Sequence, residues 1–165
     1  GRSFQITRTL DQLSVTENLA LHTAGGIGSH LFHPGITTEN RLKACEVMEF
    51  LGISTLADVD MGTLSFGQKK LLDLGTVLMA DPDLILLDEP AAGINLRLLE
   101  DIINKLVTLK NQGKTILLIE HNMDLVMGIS DEVIVMSAGI IIAQGKPSEI
   151  QKNAKVFEAY LGSKA

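Results

Sequence analysis

The segment at positions 84–90 restricts the fold of this chain more than any other; its sequence is LILLDEP. Four consecutive aliphatic residues predict a short strand buried on both faces, as in the middle of a parallel sheet. The strand ends in two carboxylates and a proline, which cannot continue a strand ladder. Because ligands of open α/β sheets bind at the carboxyl ends of strands, Asp88 and Glu89 are candidate binding residues. Taken alone, the segment is more typical of a strand that runs into an acidic turn.

Composition sets the class of protein. The 165 residues suffice for one domain with a substantial core, and 45% of them are hydrophobic. We find no apolar run near the roughly 20 residues that span a bilayer and no secretory leader, so we expect a soluble protein. The net charge of −6 argues against a nucleic-acid interface. The single cysteine, Cys45, excludes an internal disulfide, fits a reducing cytosol and is expected to be a small core residue on a helix.

The order of the remaining elements predicts an α/β fold. Ser14 and Glu17 have capping-box spacing before a helix near Val15. A helix is expected over 38–51, with Ala44, Val47, Met48 and Leu51 on one face and Gly52 as its C-cap. Further predictions are a helix over 96–111, a second buried strand at 115–119, a short helix with Met123, Val126 and Met127 on its inner face, strands at 132–136 and 140–144 around a turn at 138–139, and a helical region from 147 to 160. This alternation indicates right-handed crossovers and a mostly parallel sheet.

A second candidate site lies at positions 64–70, with the sequence LSFGQKK before a predicted helix. Ser65 and Gln68 have capping-box spacing. Gly67 leaves the first turn without a side chain, and Lys69 and Lys70 add positive charge where the helix dipole favours anions. A helix start of this kind suits phosphate, although a plain helix cap explains the same residues equally well.

The phosphate-loop pattern Gly-x-x-x-x-Gly-Lys-Ser/Thr does not occur in the 165 residues. The triplet Gly113-Lys114-Thr115 leads into a strand, whereas a phosphate loop connects a strand to a helix. The glycine-rich stretch at 23–29 has no strand before it and is interpreted as a loop. The nearby histidines are likewise interpreted as exposed loop residues; they are His22, His30 and His33.

With these pieces in order, the chain resembles the second part of an ATP-binding-cassette (ABC) ATPase. The motifs that carry the resemblance are Gln5 (Q-loop), 64–68 (signature, with Phe66 where glycine is more usual), 84–89 (Walker B), 91–95 (D-loop, with Asn95 where most members have aspartate) and His121 (switch histidine). Four further stretches resemble the ATPase subunits of branched-chain amino-acid importers: EPAAG at 89–93, LIEHNM at 118–123, VMGISD at 126–131 and AYLG at 159–162.

The resemblance implies roles for individual residues in binding ATP and Mg²⁺. Asp88 and Gln5 would hold the metal, Glu89 would act as general base, and His121 would contact the γ-phosphate. The residues that would contact nucleotide are Gln5, Ser65, Gly67, Gln68 and Asn95. Those of the signature would act on nucleotide held by a partner subunit.

The resemblance also implies an organisation: a partial P-loop NTPase fold with a small helical subdomain. The expected divisions are 1–64 (Q-loop and helical subdomain), 65–145 (signature helix and α/β half) and 146–165 (C-terminal helices). The implied protein is an ATPase subunit on the inner face of the cell membrane. It pairs with a second ATPase subunit and with permease subunits, is served indirectly by a substrate-binding protein, and contacts no nucleic acid. An ABC ATPase of another transporter or soluble machine, and a non-catalytic domain without a phosphate loop, are the alternatives.

One structural consequence follows from the missing phosphate loop. In the P-loop class, the Walker A strand lies between the strands that correspond here to 115–119 and 132–136. These two strands should therefore not pair directly. The unpaired backbone groups of these two strands are expected to promote self-association or strand exchange between copies of this chain.

Overall fold

The computed structural model describes residues 11–22 and 36–162. In chain order the elements are α1 (Val15–Ala20), α2 (Thr38–Leu51), short 3₁₀ turns at Ser54–Leu56 and Met61–Thr63, α3 (Phe66–Met79), β1 (Leu84–Asp88), α4 (Leu96–Asn111), β2 (Thr115–Ile119), α5 (Met123–Ile129), β3 (Val133–Ser137), β4 (Ile140–Gly145), α6 (Pro147–Ile150) and α7 (Ala154–Gly162). They belong to two compact units, and the chain passes from the first to the second between Ile119 and Glu120. The division into 1–64, 65–145 and 146–165 stays a prediction.

Helices α1, α2 and α3 pack together in the first unit. Leu19, Met48 and Leu72 are at most 1% exposed and form part of its core. At Gly75 of α3 a Cβ would lie 2.9 Å from Leu51 Cδ1, so the absence of a side chain lets α2 approach closely. The predicted buried face of α2 is confirmed: it consists of Ala44, Val47, Met48 and Leu51.

The predicted helix caps are present. The Ser14 hydroxyl accepts a hydrogen bond from the Glu17 amide, and the Glu17 carboxylate accepts one from the Ser14 amide. Gly52 ends α2 with φ 72°, the left-handed conformation that glycine adopts without steric cost. Cys45 lies on α2 as predicted but is exposed, so the prediction of a core cysteine is wrong. It lies on the solvent side of α2, outside the buried stripe.

Strands β1 and β2 form a parallel pair in which Leu84 lies opposite Thr115 and Asp88 opposite Ile119. Ile85 and Leu87 are buried, whereas Leu84 is 47% exposed. The prediction that β1 is buried on both faces is therefore wrong.

The prediction of a second buried strand at 115–119 is also wrong, because Leu117 and Ile119 are 55% and 57% exposed. Within the described residues β2 pairs only with β1. Its other edge therefore has no strand partner there, and the side chains of Leu117 and Ile119 remain exposed.

The second unit contains an antiparallel hairpin of β3 and β4. Ala138 and Gly139 connect the strands with φ 47° and 78°, as the tight turns of hairpins require. Val133, Ile150 and Val156 form its buried cluster. The predicted inner face of α5 is confirmed, because Met123, Val126 and Met127 pack against that cluster.

The strand at 115–119 does not pair with the strand predicted at 132–136, as expected. The described strands form two separate two-stranded sheets, β1 with β2 and β3 with β4. The hairpin strands begin and end within one residue of their predicted limits, and the predicted terminal helical region is divided into α6 and α7. Self-association of the chain stays a prediction.

Candidate functional site

Asp88 and Glu89 lie at the carboxyl end of β1, where the sequence predicted binding residues. The Glu89 amide donates a hydrogen bond of 2.9 Å to the carbonyl oxygen of Ile119, which extends the β1–β2 pairing by one residue. The Glu89 carbonyl then accepts a 3.1 Å bond from the Ala92 amide and closes a turn. Both carboxylate residues are partly exposed. The strand therefore presents two adjacent acids at its end.

The backbone of Glu89 is in the left-handed region, with φ 46°. A residue with a Cβ pays about 1–2 kcal/mol for this conformation. Among the described residues other than glycine, Asp81 and Ala138 also have positive φ, and both lie in short connections between elements. Glu89 differs because it directly follows a strand at a candidate ligand-binding edge. Strain held at such a position is typical of functional sites.

The loop that follows Glu89 ends at α4. The Oδ1 atom of Asn95 accepts a hydrogen bond of 2.9 Å from the Leu98 amide and caps this helix. Asn95 thus has a structural role, in addition to the nucleotide contact that the resemblance implies.

The start of α3 brings together the second group of predicted site residues. Ser65 and Gln68 cap the helix reciprocally: the Ser65 amide donates to Gln68 Oε1 over 2.8 Å, and the Gln68 amide donates to Ser65 Oγ over 3.4 Å. A Cβ on Gly67 would lie 2.6 Å from Leu98 Cδ2. The side chain that comes close to Gly67 therefore belongs to α4, and a larger residue at position 67 would require the end of the Leu98 side chain to move.

The two lysines beside this helix start have partners within the first unit. Lys69 Nζ lies 4.0 Å from the carboxylate of Asp11. Lys70 is only 9% exposed, and its Nζ lies 5.8 Å from the centroid of the Phe66 ring, within the range of a cation–π interaction. Sequence reasoning assigned both lysines to the binding of an anion and missed these contacts.

Sequence reasoning also missed the contact between Phe66 and Gly93. A Cβ on Gly93 would lie 3.0 Å from Phe66 Cε1 and 3.4 Å from its Cζ, so the ring lies directly on the loop after Glu89. Gly93 has φ 74°. An aromatic residue at a position where glycine is usual was the only sequence signal of this contact.

Of the other predicted site residues, one belongs to the second unit and one lies outside the described residues. His121 is exposed and is the second residue of the second unit, two positions after Ile119. Gln5 lies outside the described residues.

The donor set at the end of β1 fits a magnesium ion better than it fits a whole nucleotide. Mg²⁺ is commonly held by one or two carboxylates together with phosphate oxygens, and Asp88 and Glu89 offer that chemistry. A cavity of about 150 Å³ beside Asp88 is otherwise apolar; its lining residues are Leu86, Leu87, Asp88, Leu117 and Ile119. Pockets for ligands of drug size usually measure about 300–1,000 Å³. The end of β1 thus provides carboxylates for a metal, and the cavity beside it is smaller than a nucleotide would need.

No three histidine, cysteine or acidic side chains in those ranges are grouped as ligands for a metal ion. The same part of the chain has no helix long and apolar enough to cross a membrane.

Two family models match this chain. Residues 1–92 match the ABC transporter model, and residues 141–165 match a model described as branched-chain amino acid ATP-binding cassette transporter.

Characterised relatives match nearly the whole chain. The probable branched-chain amino acid transport ATP-binding protein LivG of Archaeoglobus fulgidus is 38% identical over 168 residues, which cover 98% of this chain and 65% of that protein. The high-affinity branched-chain amino acid transport ATP-binding protein BraF of Pseudomonas aeruginosa is 34% identical over 98% of this chain and 67% of its own length. The chain thus spans about two thirds of the length of these relatives.

Solved structures agree with this result. A crystal structure of the ADP conformation of an ATP-binding cassette of an ABC transporter superposes with a TM-score of 0.81 and 37% identity, over 98% of this chain and 67% of that one. A nucleotide-free cassette gives a TM-score of 0.82 with 36% identity over 96% of this chain and 67% of its own.

Proposed function

The chain belongs to the ABC transporter family, and we propose that it supplies the carboxylate part of the nucleotide site in an ATP-hydrolysing transporter subunit. Its relatives are named for branched-chain amino acid transport, which supports an importer of these or other amino acids. The coupling of ATP-driven association of two subunits to transport is part of the same proposal.

The observation that carries the proposal is the position and conformation of Glu89. It follows Asp88 at the end of β1, is anchored by its amide to Ile119, and has a left-handed backbone. Two adjacent acids at this edge suit a reaction that needs both a metal ligand and a base.

Asp88 would hold Mg²⁺, and Glu89 would orient a water molecule and accept its proton as the water attacks the γ-phosphate. The metal, when bound, supplies charge neutralisation of the phosphate oxygens. His121 would donate a hydrogen bond to the γ-phosphate, and Gln5 would add a ligand to the metal.

The residues at the start of α3 would act on nucleotide held by a second ATPase subunit. Ser65, Gly67 and Gln68 lie at a helix N-terminus, where the helix dipole favours phosphate. The backbone amides of Ser65 and Gln68 form the capping box, so the Ser65 hydroxyl and the side-chain NH₂ of Gln68 would be the donors to phosphate. Asn95 would contact the same interface from the loop before α4. In this arrangement ATP binds the two subunits together.

Permease subunits would receive the complex at the cytoplasmic face of the membrane, with a substrate-binding protein acting on the other side. The helical region before residue 64 is the proposed docking face. Glu17 and Arg41 are suitable probes on this face. The pKa of Glu17 is held below its ordinary value by hydrogen bonds from the amide and the hydroxyl of Ser14, and to a smaller extent by the charge of Arg41. Cysteines at these two positions should cross-link to a permease in an assembled transporter. Absence of any cross-link from the whole segment would refute this docking face.

The catalytic proposal is tested in a subunit that carries these residues together with a phosphate loop. Glu89→Gln should abolish hydrolysis, preserve ATP binding and favour the nucleotide-bound dimer. Loss of ATP binding would assign Glu89 a structural role instead.

The 165-residue chain alone should show no Mg²⁺-dependent ATPase activity above background, since it contains no phosphate-loop sequence. Turnover by this chain that Glu89→Gln abolishes would contradict the interpretation.

A further inference from the structure

The start of α3 and the loop after Glu89 are in direct contact at two glycines. Gly67 faces Leu98 in the first turn of α4, and Gly93 faces the ring of Phe66. In both places a Cβ would lie at or below 3.0 Å from a carbon of the opposite side chain. The two segments therefore approach closely at positions where neither has a side chain of its own.

Phe66 is the side chain that reaches across this junction. One edge of its ring lies on Gly93, and the ammonium group of Lys70, one turn further along α3, lies near the ring. Lys70 is nearly buried, which strengthens its attraction to the ring because water competes less. The ring is thus fixed to its own helix by Lys70 and to the loop by Gly93.

Core packing does not account for a phenylalanine at this position. The residue is 55% exposed, and it occupies the first position of α3, where no apolar neighbour on the same helix requires a ring. A large aromatic group left half in water contributes less stability than a buried one. What the ring adds is a contact between two segments that each carry proposed site residues.

The loop that contains Gly93 is itself hydrogen-bonded to the backbone of Glu89. The Ala92 amide, next to Gly93, donates a hydrogen bond to the Glu89 carbonyl over 3.1 Å. A displacement of Gly93 therefore acts on the backbone of a residue that is already in the left-handed region. Ser65 and Gln68 flank Phe66 on the other side of the junction.

We propose that Phe66 is a positioning residue that couples the start of α3 to the loop after Glu89. The inference rests on the proposed function, in which Ser65 and Gln68 act at the nucleotide of a partner subunit and Glu89 acts at the nucleotide of its own. When the partner's nucleotide binds at the start of α3, the Phe66 ring shifts or fixes Gly93. The position of Gly93 in turn sets the position of the Glu89 carboxylate, which orients water. Phe66 touches neither nucleotide; it sets the geometry of Glu89.

The first measurement tests the contact itself and does not depend on activity. In the 165-residue chain the Phe66 ring should shift the resonances of the Gly93 α-protons by its ring current. Phe66→Leu keeps an apolar side chain without the ring and should move these resonances. Phe157→Leu is the matched control, because Phe157 is 56% exposed and belongs to the second unit. Unchanged Gly93 resonances in Phe66→Leu would overturn the proposal.

The second measurement uses a subunit that also carries a phosphate loop, and rates are expressed per bound nucleotide. Phe66→Leu should lower kcat about tenfold with the Kd for ATP within twofold of wild type. Phe66→Tyr keeps the ring, can expose its hydroxyl to water, and should restore kcat to within twofold. Phe157→Leu should leave both values unchanged.

The outcomes separate this inference from the function on which it rests. Hydrolysis by the wild type, together with equal kcat in wild type and Phe66→Leu, refutes the coupling and leaves the ATPase intact. Parallel loss of kcat and ATP binding that Phe66→Tyr does not restore shows a structural role only and also refutes it. A wild-type subunit that binds ATP but does not hydrolyse it refutes both the proposed function and the coupling, even where the Gly93 resonances reveal the contact.

Discussion

The left-handed backbone of Glu89 predicts an unusual response to glycine. At φ 46° a residue with a Cβ pays about 1–2 kcal/mol relative to its ordinary conformations, a cost that glycine does not have. Glycine instead loses about 0.5–1 kcal/mol through the greater entropy of its unfolded chain. The difference leaves Glu89→Gly about 0.5–1 kcal/mol more stable than Glu89→Ala. Comparison of these two variants removes the effect of the carboxylate, which is absent from both.

Asp88 provides the internal control one residue earlier. It is the last residue of β1 and has extended backbone, so only the unfolded-state term applies. Asp88→Gly should therefore be about 0.5–1 kcal/mol less stable than Asp88→Ala. The sign of the glycine–alanine difference should thus reverse between two adjacent positions.

Urea unfolding of the 165-residue chain, followed by far-ultraviolet circular dichroism, measures this difference. With a slope of about 2 kcal/mol per molar urea, 0.5–1 kcal/mol corresponds to a midpoint shift of about 0.25–0.5 M. Hydrogen exchange at the amides of Ile85 and Leu87 gives a local measure of the same difference. If glycine is the less stable variant at both positions, Glu89 is not strained and the argument for a functional conformation fails.

Three further predictions concern stability and association. Leu72→Ala should lower the free energy of unfolding by about 2–5 kcal/mol because Leu72 is fully buried, whereas Leu42→Ala, at a position 62% exposed, should change it by less than about 0.5 kcal/mol; equal effects in thermal unfolding would contradict the packing of α3. Asp81→Asn removes the 2.7 Å ion pair with Lys114 and should cost at most about 1 kcal/mol at pH 7, since the Asp81 carboxylate is largely exposed. The hydrogen bond and charge of Lys114 lower the pKa of Asp81 in the folded state. The difference in unfolding free energy between wild type and Asp81→Asn should therefore be present above the unfolded pKa of about 3.9 and vanish as the pH falls through the lower folded pKa. A difference that persists in acid would refute this assignment. Leu117→Lys places a charge among the exposed apolar residues of β2 and should reduce self-association in sedimentation velocity, which an unchanged distribution of species would disprove.

Local chemistry let the sequence predict most elements and the identity of the candidate site. Capping residues and helical periodicity act over three or four positions, so the limits of α2 and its buried face follow from the sequence. The acids at the end of β1 were likewise visible as a strand followed by a break. The family resemblance depended on motifs in a fixed order, and the comparisons confirm it.

The exposure of the strands was decided by tertiary structure. The apolar sequence of 115–119 is that of a buried strand, yet burial depends on which elements cover both faces and both edges. In the described residues only β1 pairs with β2, so Leu117 and Ile119 remain exposed. Cys45 is a different case: the periodicity that gives the buried face of α2 leaves position 45 outside that face, so the general preference of cysteine for cores was the wrong guide.

The contacts at the candidate site were decided in the same way. Sequence alone identified Ser65, Gln68 and Glu89, but it could not show that Phe66 would lie on Gly93 or that Lys70 would be nearly buried. Residues 66 and 93 are 27 positions apart, and their contact arises because β1 carries the chain back along α3 to its start. The path of the chain through α3 and β1 decides that return, and apart from the unusual aromatic residue at position 66 nothing in the sequence indicated it.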